Sequence, residues 1–196
     1  MAWYNYQTYT FKYENLTRNA ENPHDLCIFK DCDFRAISNI RLSGFEKVVF
    51  DGYLQSFRPE VGIEIKDCKN VEFRKADFYD NKISLRITGA GSIKMEKVCH
   101  LKSMNIQIEN SNKFILRDST LCFNTSKINV KCLWLGRSQI DFKELDLTGV
   151  SEKLGVTSAN VFDVQQMLIR PGIELFIETC SQDKQKLQSV IRYQGR

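Results

Sequence analysis

Residues 62–81 read GIEIKDCKNVEFRKADFYDN. Ile63 and Ile65 alternate with charged residues, a short Asp-Cys-Lys-Asn run interrupts, and Val71 and Phe73 resume the alternation. A period of two sends successive side chains to opposite faces, so the pattern predicts two strands joined by a corner. Whether this is a lone hairpin or one turn of a repeat decides the fold.

The flanking sequence answers. Ile40, Ile63, Leu85, Ile106 and Ile128 form one column with steps of 23, 22, 21 and 22 residues. Two residues on, the column reads Leu42, Ile65, Ile87, Ile108 and Val130. Eight on, it reads Val48, Val71, Ile93 and Phe114; ten on, Phe50, Phe73, Met95 and Leu116. In the fifth turn this second pair is expected four residues late, as Ile140 and Phe142, with CLWLGR (132–137) holding an insertion. Between the paired columns lie GFEK, DCKN, GAGS and NSNK, rich in residues that accept positive φ. Phe45, Cys68, Ala90 and Ser111 share one place in these corners, which predicts an inward-facing side chain.

A repeat of about 22 residues built from short strands and tight corners predicts a β-solenoid. Coils stacked about 4.8 Å apart turn like positions into interior ladders. The leucine-rich signature is missing, and a pentapeptide period, which CDFRA and KADFY fit singly, fails across SIKMEKVCH. The pattern resembles the right-handed parallel β-helix of the pectate-lyase-like superfamily over residues 26–149. The expected fold is all-β, a single-stranded parallel β-helix of about five to six coils. Residues 1–25, with Trp3, Tyr4, Tyr6, Tyr9, Phe11 and Tyr13, are expected to be an aromatic cap and loop. Residues 150–196 are expected to be a C-terminal capping segment. Within it NVFDVQQMLIR reads as a short helix capped by Asn160 or as a strand, and IELFIETCS with KLQSVIRYQ as a hairpin.

Composition adds bounds. The 196 residues have room for one domain with a substantial core, and a net charge of +4, well mixed, does not single out nucleic acid. The first residues lack the basic and apolar regions of a secretory signal, and no run approaches the ~18 apolar residues of a membrane span. Seven scattered cysteines, several between apolar neighbours, read as free thiols in a reducing compartment. The expected location is therefore cytoplasmic, that of the host cell if a phage encodes the chain.

No Walker loop, GxGxxG, HExxH or GxSxG motif is present. His24 and His100 have no partner evident in the sequence, and Cys27-x4-Cys32 lacks a second pair at zinc spacing. The superfamily resemblance implies sugar chemistry on the outward strand after the third corner, here RKADFYDN, EKVCHLKS and RDSTLCFN. Asp77, Tyr79 and Asp80 would then face outward, with Arg74, Lys75, Lys97, Arg117 and Asp118 in the preceding corner. Paired carboxylates beside cations can do acid–base work. However, Asp77 and Asp80 share one coil, and neither the superfamily's calcium-binding acids nor its NxD, DD, HG and RxK hydrolase motifs have a match. No catalytic residue, cofactor or metal is assigned.

The corner residues, with His100, are instead a candidate contact surface, the competing reading being a solvated mixed-charge corner. Trp3, Tyr4 and Tyr6 are a candidate patch for a partner or a second subunit. The expected function is non-enzymatic binding of a protein partner by an intracellular inhibitor or immunity-type protein, a phage anti-defence protein in its specific form. Neither membrane nor nucleic acid is an expected partner. Two alternatives stay open: a carbohydrate-binding or carbohydrate-active β-helix of phage-tail type, and an assembly protein that oligomerises through its aromatic end.

Overall fold

The computed structural model describes residues 2–7, 9–53, 60–77, 82–98, 104–121, 125–140, 144–161 and 164–194. Its strands begin with β1 (Trp3–Gln7), β2 (Asn15–Asn19), β3 (Leu26–Lys30), β4 (Asn39–Ser43), β5 (Lys47–Tyr53) and β6 (Glu60–Lys66). Next come β7 (Asn70–Asp77), β8 (Lys82–Thr88), β9 (Ser92–Glu96), β10 (Met104–Arg117), β11 (Thr120–Leu121) and β12 (Thr125–Gly136). The chain closes with β13 (Gln139–Ile140), β14 (Glu144–Leu147), β15 (Val150–Thr157), β16 (Asn160–Val161), β17 (Gln166–Ile169), β18 (Glu174–Glu178), α1 (Ser181–Val190) and β19 (Ile191–Tyr193).

Every strand pair is parallel, and each strand meets the equivalent strand one coil away. The chain is therefore a parallel β-solenoid of about seven coils, not five to six. One face runs β2, β4, β6, β8, β10, β12 and is taken up beside β12 by β14, β17 and β19. The second face runs β1, β3, β5, β7, β9, β10, β12, β15, β18. The long strands β10 and β12 pass through the corner and belong to both faces. A short third side stacks β11, β13 and β16.

The interior is the ladder that the columns predict. Tyr6, Phe29, Phe50 and Phe73 are successive partners along the second face. Their rings stack at 5.1, 4.8 and 5.0 Å between centroids, with planes within 13° of parallel. Aliphatic side chains then continue the ladder as Met95, Leu116, Leu135, Val156 and Ile177. Phe45, Cys68, Ala90 and Ser111 are all buried in the corner, as their shared place predicts. The Ser111 hydroxyl accepts from Ala90 N–H at 3.1 Å and donates to the Glu109 carbonyl, so burying it leaves no polar atom unsatisfied. Cys27, Cys32 and Cys68 are free thiols in the same interior. Burial pushes the Cys27 thiol up to about 12 and the Cys68 thiol up to about 11, which makes both poor nucleophiles.

Three expectations need correction. In the fifth turn Ile128 pairs with Ile108, not Ile106, and Val130 pairs with Ser111. CLWLGR is no insertion: Leu133 and Leu135 continue the columns of Phe114 and Leu116, and Ile140 lies on the third side against Leu121. The turn is shorter than its predecessors, and its own apolar spacing of two makes a two-residue slip invisible in sequence. The helix considered for NVFDVQQMLIR is instead strands β16 and β17. The expected hairpin is split as well, because SQDKQKLQSV forms α1 and β19 pairs in parallel with β17.

The ends close differently. The aromatic N-terminus is itself a coil, with β1 on β3 and β2 on β4. Its corner is held by Asp25, a buried carboxylate that accepts from Ala2 N–H at 2.6 Å and from Glu21 and Asn22 N–H at 3.0 Å. At the other end α1 lies over the third side and satisfies its last strand with side chains. The Asp183 carboxylate accepts from Val161 N–H at 3.1 Å, and Lys186 donates to the Val161 carbonyl at 3.0 Å. Among the described residues no helix is long and apolar enough to cross a membrane.

Two measurements check this account. Phe50 is fully buried between two rings, so Phe50→Ala should cost about 3–5 kcal/mol in denaturant unfolding, and Phe50→Leu less. The Asp25 carboxyl is held below its ordinary value of 3.8, chiefly by the Ala2 N–H and then by those of Asn22 and Glu21. A group depressed in the folded state stabilises fully above its unfolded pKa and ceases to do so as pH falls through the folded one. The unfolding temperature should therefore fall as pH drops below about 4, and Asp25→Asn should flatten that part of the profile.

Candidate functional site

The backbone at each corner decides which side chains reach solvent there. Two columns of residues hold left-handed φ. The first corner has Gly44, Asp67, Gly89 and Asn110, with φ from 50° to 75°. The second corner, after each second-face strand, has Asp31, Gly52, Lys75, Lys97, Asp118, Arg137 and Ser158, with φ from 48° to 80°. Glycine, Asn and Asp take this conformation readily, while longer L side chains pay roughly 1 kcal/mol for it. The first corner follows that preference throughout; the second sets it aside at Lys75, Lys97, Arg137 and Ser158.

The second corner also gathers the candidate contact residues. Arg74 and Arg117 stand in one column with Glu96 between them. Lys75, Lys97 and Asp118 follow immediately in the left-handed column. Arg74, Lys75, Lys97, Arg117 and Asp118 thus form one ridge along the stack, with Arg74, Lys75, Lys97 and Arg117 exposed. The side chain of Asp77 and residues Tyr79, Asp80 and His100 lie outside what the structure describes.

Acids near the ridge are already engaged. Burial works against the Glu72 carboxylate, but Lys47 and Arg74 together hold it below the ordinary carboxylate range. Lys94, 2.6 Å from Glu96, lowers that carboxyl with smaller help from Arg117 and Lys97. Asp118 accepts from Arg137 at 2.9 Å. Among the described residues no acid lies within ion-pair distance of Lys75, Lys97 or Arg117. Off the ridge, several cations pair with acids one coil away, as in Arg41–Glu64, Lys47–Glu72 and Lys153–Glu174. On the ridge, Lys75, Lys97 and Arg117, exposed and with no described acid at ion-pair distance, occupy three successive coils. Two like charges about 4 Å apart repel by about 1 kcal/mol in water.

Two rings of the other candidate patch, Tyr4 and Tyr6, are half-buried and pack against the core. Tyr4 packs edge-on against Phe45, and Tyr6 stacks on Phe29 while its hydroxyl accepts from Arg18 Nε at 3.0 Å. The Trp3 side chain is outside the described residues. Shallow depressions of about 190 and 390 Å³ lie over Gly62, beside Asn39, Arg41, Glu64, Ser84 and Arg86, and over the Cys180–Asp183 end of α1. Among the described residues no three His, Cys, Asp or Glu side chains converge as a metal ion requires.

Sequence reasoning missed two surface residues for one reason. The slip in the fifth turn hid Arg137, which occupies the left-handed position after Asp118. It also hid Trp134, the outward neighbour of Ile115. The Trp134 ring lies flat over Gly155, where an added Cβ would fall 2.2 Å from it, and reaches Phe176 at 6.2 Å. The leucines of CLWLGR, aligned with Phe114 and Leu116, would have revealed both.

No protein-family model, curated protein or solved structure matches the chain.

Because Lys97 carries an unfavourable φ, Lys97→Asn should raise stability by about 0.5–1 kcal/mol in denaturant unfolding. The converse substitution Asp67→Lys, at a left-handed first-corner position, should lower it.

Proposed function

We propose that the chain is a non-enzymatic binding protein that acts by protein–protein contact, of the inhibitor or immunity type, with phage anti-defence as its specific form. One observation carries this reading: Arg74, Lys75, Lys97, Arg117 and Asp118 lie along one ridge of an inflexible stack. A surface held on a continuous parallel ladder loses little conformational entropy when a partner covers it, so more of the contact energy is retained as affinity. The shape suits occlusion of a partner's surface, which is how an inhibitor without chemistry of its own acts. Exposed charge on such a ridge also steers encounter and rejects wrong partners.

The test is affinity capture by the tagged chain from the cells that naturally carry it. The expected result is a protein partner recovered in stoichiometric amount, and lost when Lys75, Lys97 and Arg117 are together replaced by Glu. Recovery of no such protein, or equal recovery by the variant, would overturn the reading.

A further inference from the structure

We propose that the second-corner ridge is a docking edge for an acidic segment of a protein partner, whose carboxylates pair with Lys75, Lys97 and Arg117. This inference rests on the binding-protein reading above and names the chemistry of the surface that the ridge meets.

Three independent features point the same way. Lys75 and Lys97 stand in left-handed backbone, where the adjoining coils use Gly52 and Asp118. Positions that break a local preference with no gain inside the fold mark sites kept for something outside it. The second feature is charge. Elsewhere on the faces several cations on one coil meet an acid on the next, as in Arg86–Glu109 and Lys131–Glu152. Along the ridge no described acid comes within ion-pair distance of Lys75, Lys97 or Arg117, which lie on three successive coils. The third is that the nearest acids cannot move in to compensate, since Glu72, Glu96 and Asp118 are held by Arg74 with Lys47, by Lys94 and by Arg137. Among the described residues the ridge thus keeps three cations with no acid at ion-pair distance, charge that a partner's carboxylates would neutralise.

Spacing chooses between acidic partners. At about 4.8 Å per coil, three cations span roughly 10 Å. An extended peptide repeats its same-side carboxylates every ~6.8 Å, so two or three acidic side chains cover that length. Nucleic acid would call for a longer basic track with aromatic platforms for the bases. Among the described residues the ridge carries no aromatic side chain, and the Asp118–Arg137 pair interrupts the positive run toward the C-terminal end. A short acidic peptide segment fits this pattern.

The probe is a fluorescein-labelled twelve-residue oligoglutamate, read by anisotropy at low and at physiological salt. Three chains are compared: wild type, Lys75→Glu/Lys97→Glu/Arg117→Glu, and Arg41→Glu/Arg86→Glu/Lys131→Glu. Both variants change net charge equally, but only the first alters the ridge. The inference expects salt-sensitive binding by wild type, at least tenfold weaker binding by the ridge variant, and less than threefold weakening in the other. Circular dichroism checks that each variant folds, and single Lys75→Gln and Arg117→Gln variants, each expected to weaken binding two- to fivefold, serve if a triple does not. Equal weakening of both triples would show net charge alone and overturn the inference, as would no binding by wild type. Tighter binding of a twenty-residue oligothymidylate would reassign the ridge to nucleic acid. A chain that captures its protein partner yet ignores oligoglutamate would lose the acidic segment and keep the binding-protein reading.

Discussion

The structure depends on one repeated hydrogen bond. At each corner a residue in left-handed backbone donates its N–H to a carbonyl one coil on, as Gly44 does to Lys66, Asp67 to Thr88, Lys97 to Arg117 and Arg137 to Thr157. That bond turns the chain without leaving a polar group unpaired inside, and it copies each corner onto the next. Once the corners superpose, the flanking strands have no choice of register. Phe29 must then lie on Phe50 and Phe50 on Phe73, and the ring ladder follows from the corner.

The same constraint explains what the sequence could reveal. Where Gly44, Asp67, Gly89 and Asn110 mark the turn, the columns of Ile40 and Val48 could be read with the correct strand and face. After Asn110 the first corner loses its marker, since no residue of β12 holds left-handed φ. Ile128, Val130, Leu133 and Leu135 then offered several apolar registers of equal quality, and sequence alone could not choose between them. The N-terminal coil was hidden for a related reason. Its rings look like a cap, yet Tyr6 occupies the place that Phe fills in the next three coils. The helix α1 misled in the opposite sense. Only Leu187 of it is buried, so it has no apolar stripe of helical period, and its end merges with the alternation of β19.

The candidate site was legible as residues but not as a surface. Arg74, Lys75, Lys97, Arg117 and Asp118 could be named because they follow the second column of each coil. Their charges looked balanced when counted along the chain. Stacking changes the count, since an acid compensates a cation only when the coil spacing brings the two together. Glu96 is adjacent to Arg117 in the ladder yet is committed to Lys94, 2.6 Å away on its own strand.

Division of labour within each coil follows. Core positions are bound by volume, and the first-face and second-face exteriors by pairing with the next coil. Only the corners can vary without disturbing either, provided the left-handed φ is tolerated. Lys75 and Lys97 accept that backbone cost and the repulsion between them, whereas Asp31 and Gly52 in the same column accept neither. A stack that follows its own preferences at every first corner and sets them aside along part of the second carries its stability in the interior ladders and leaves a few corner side chains in a conformation that the fold alone would not select.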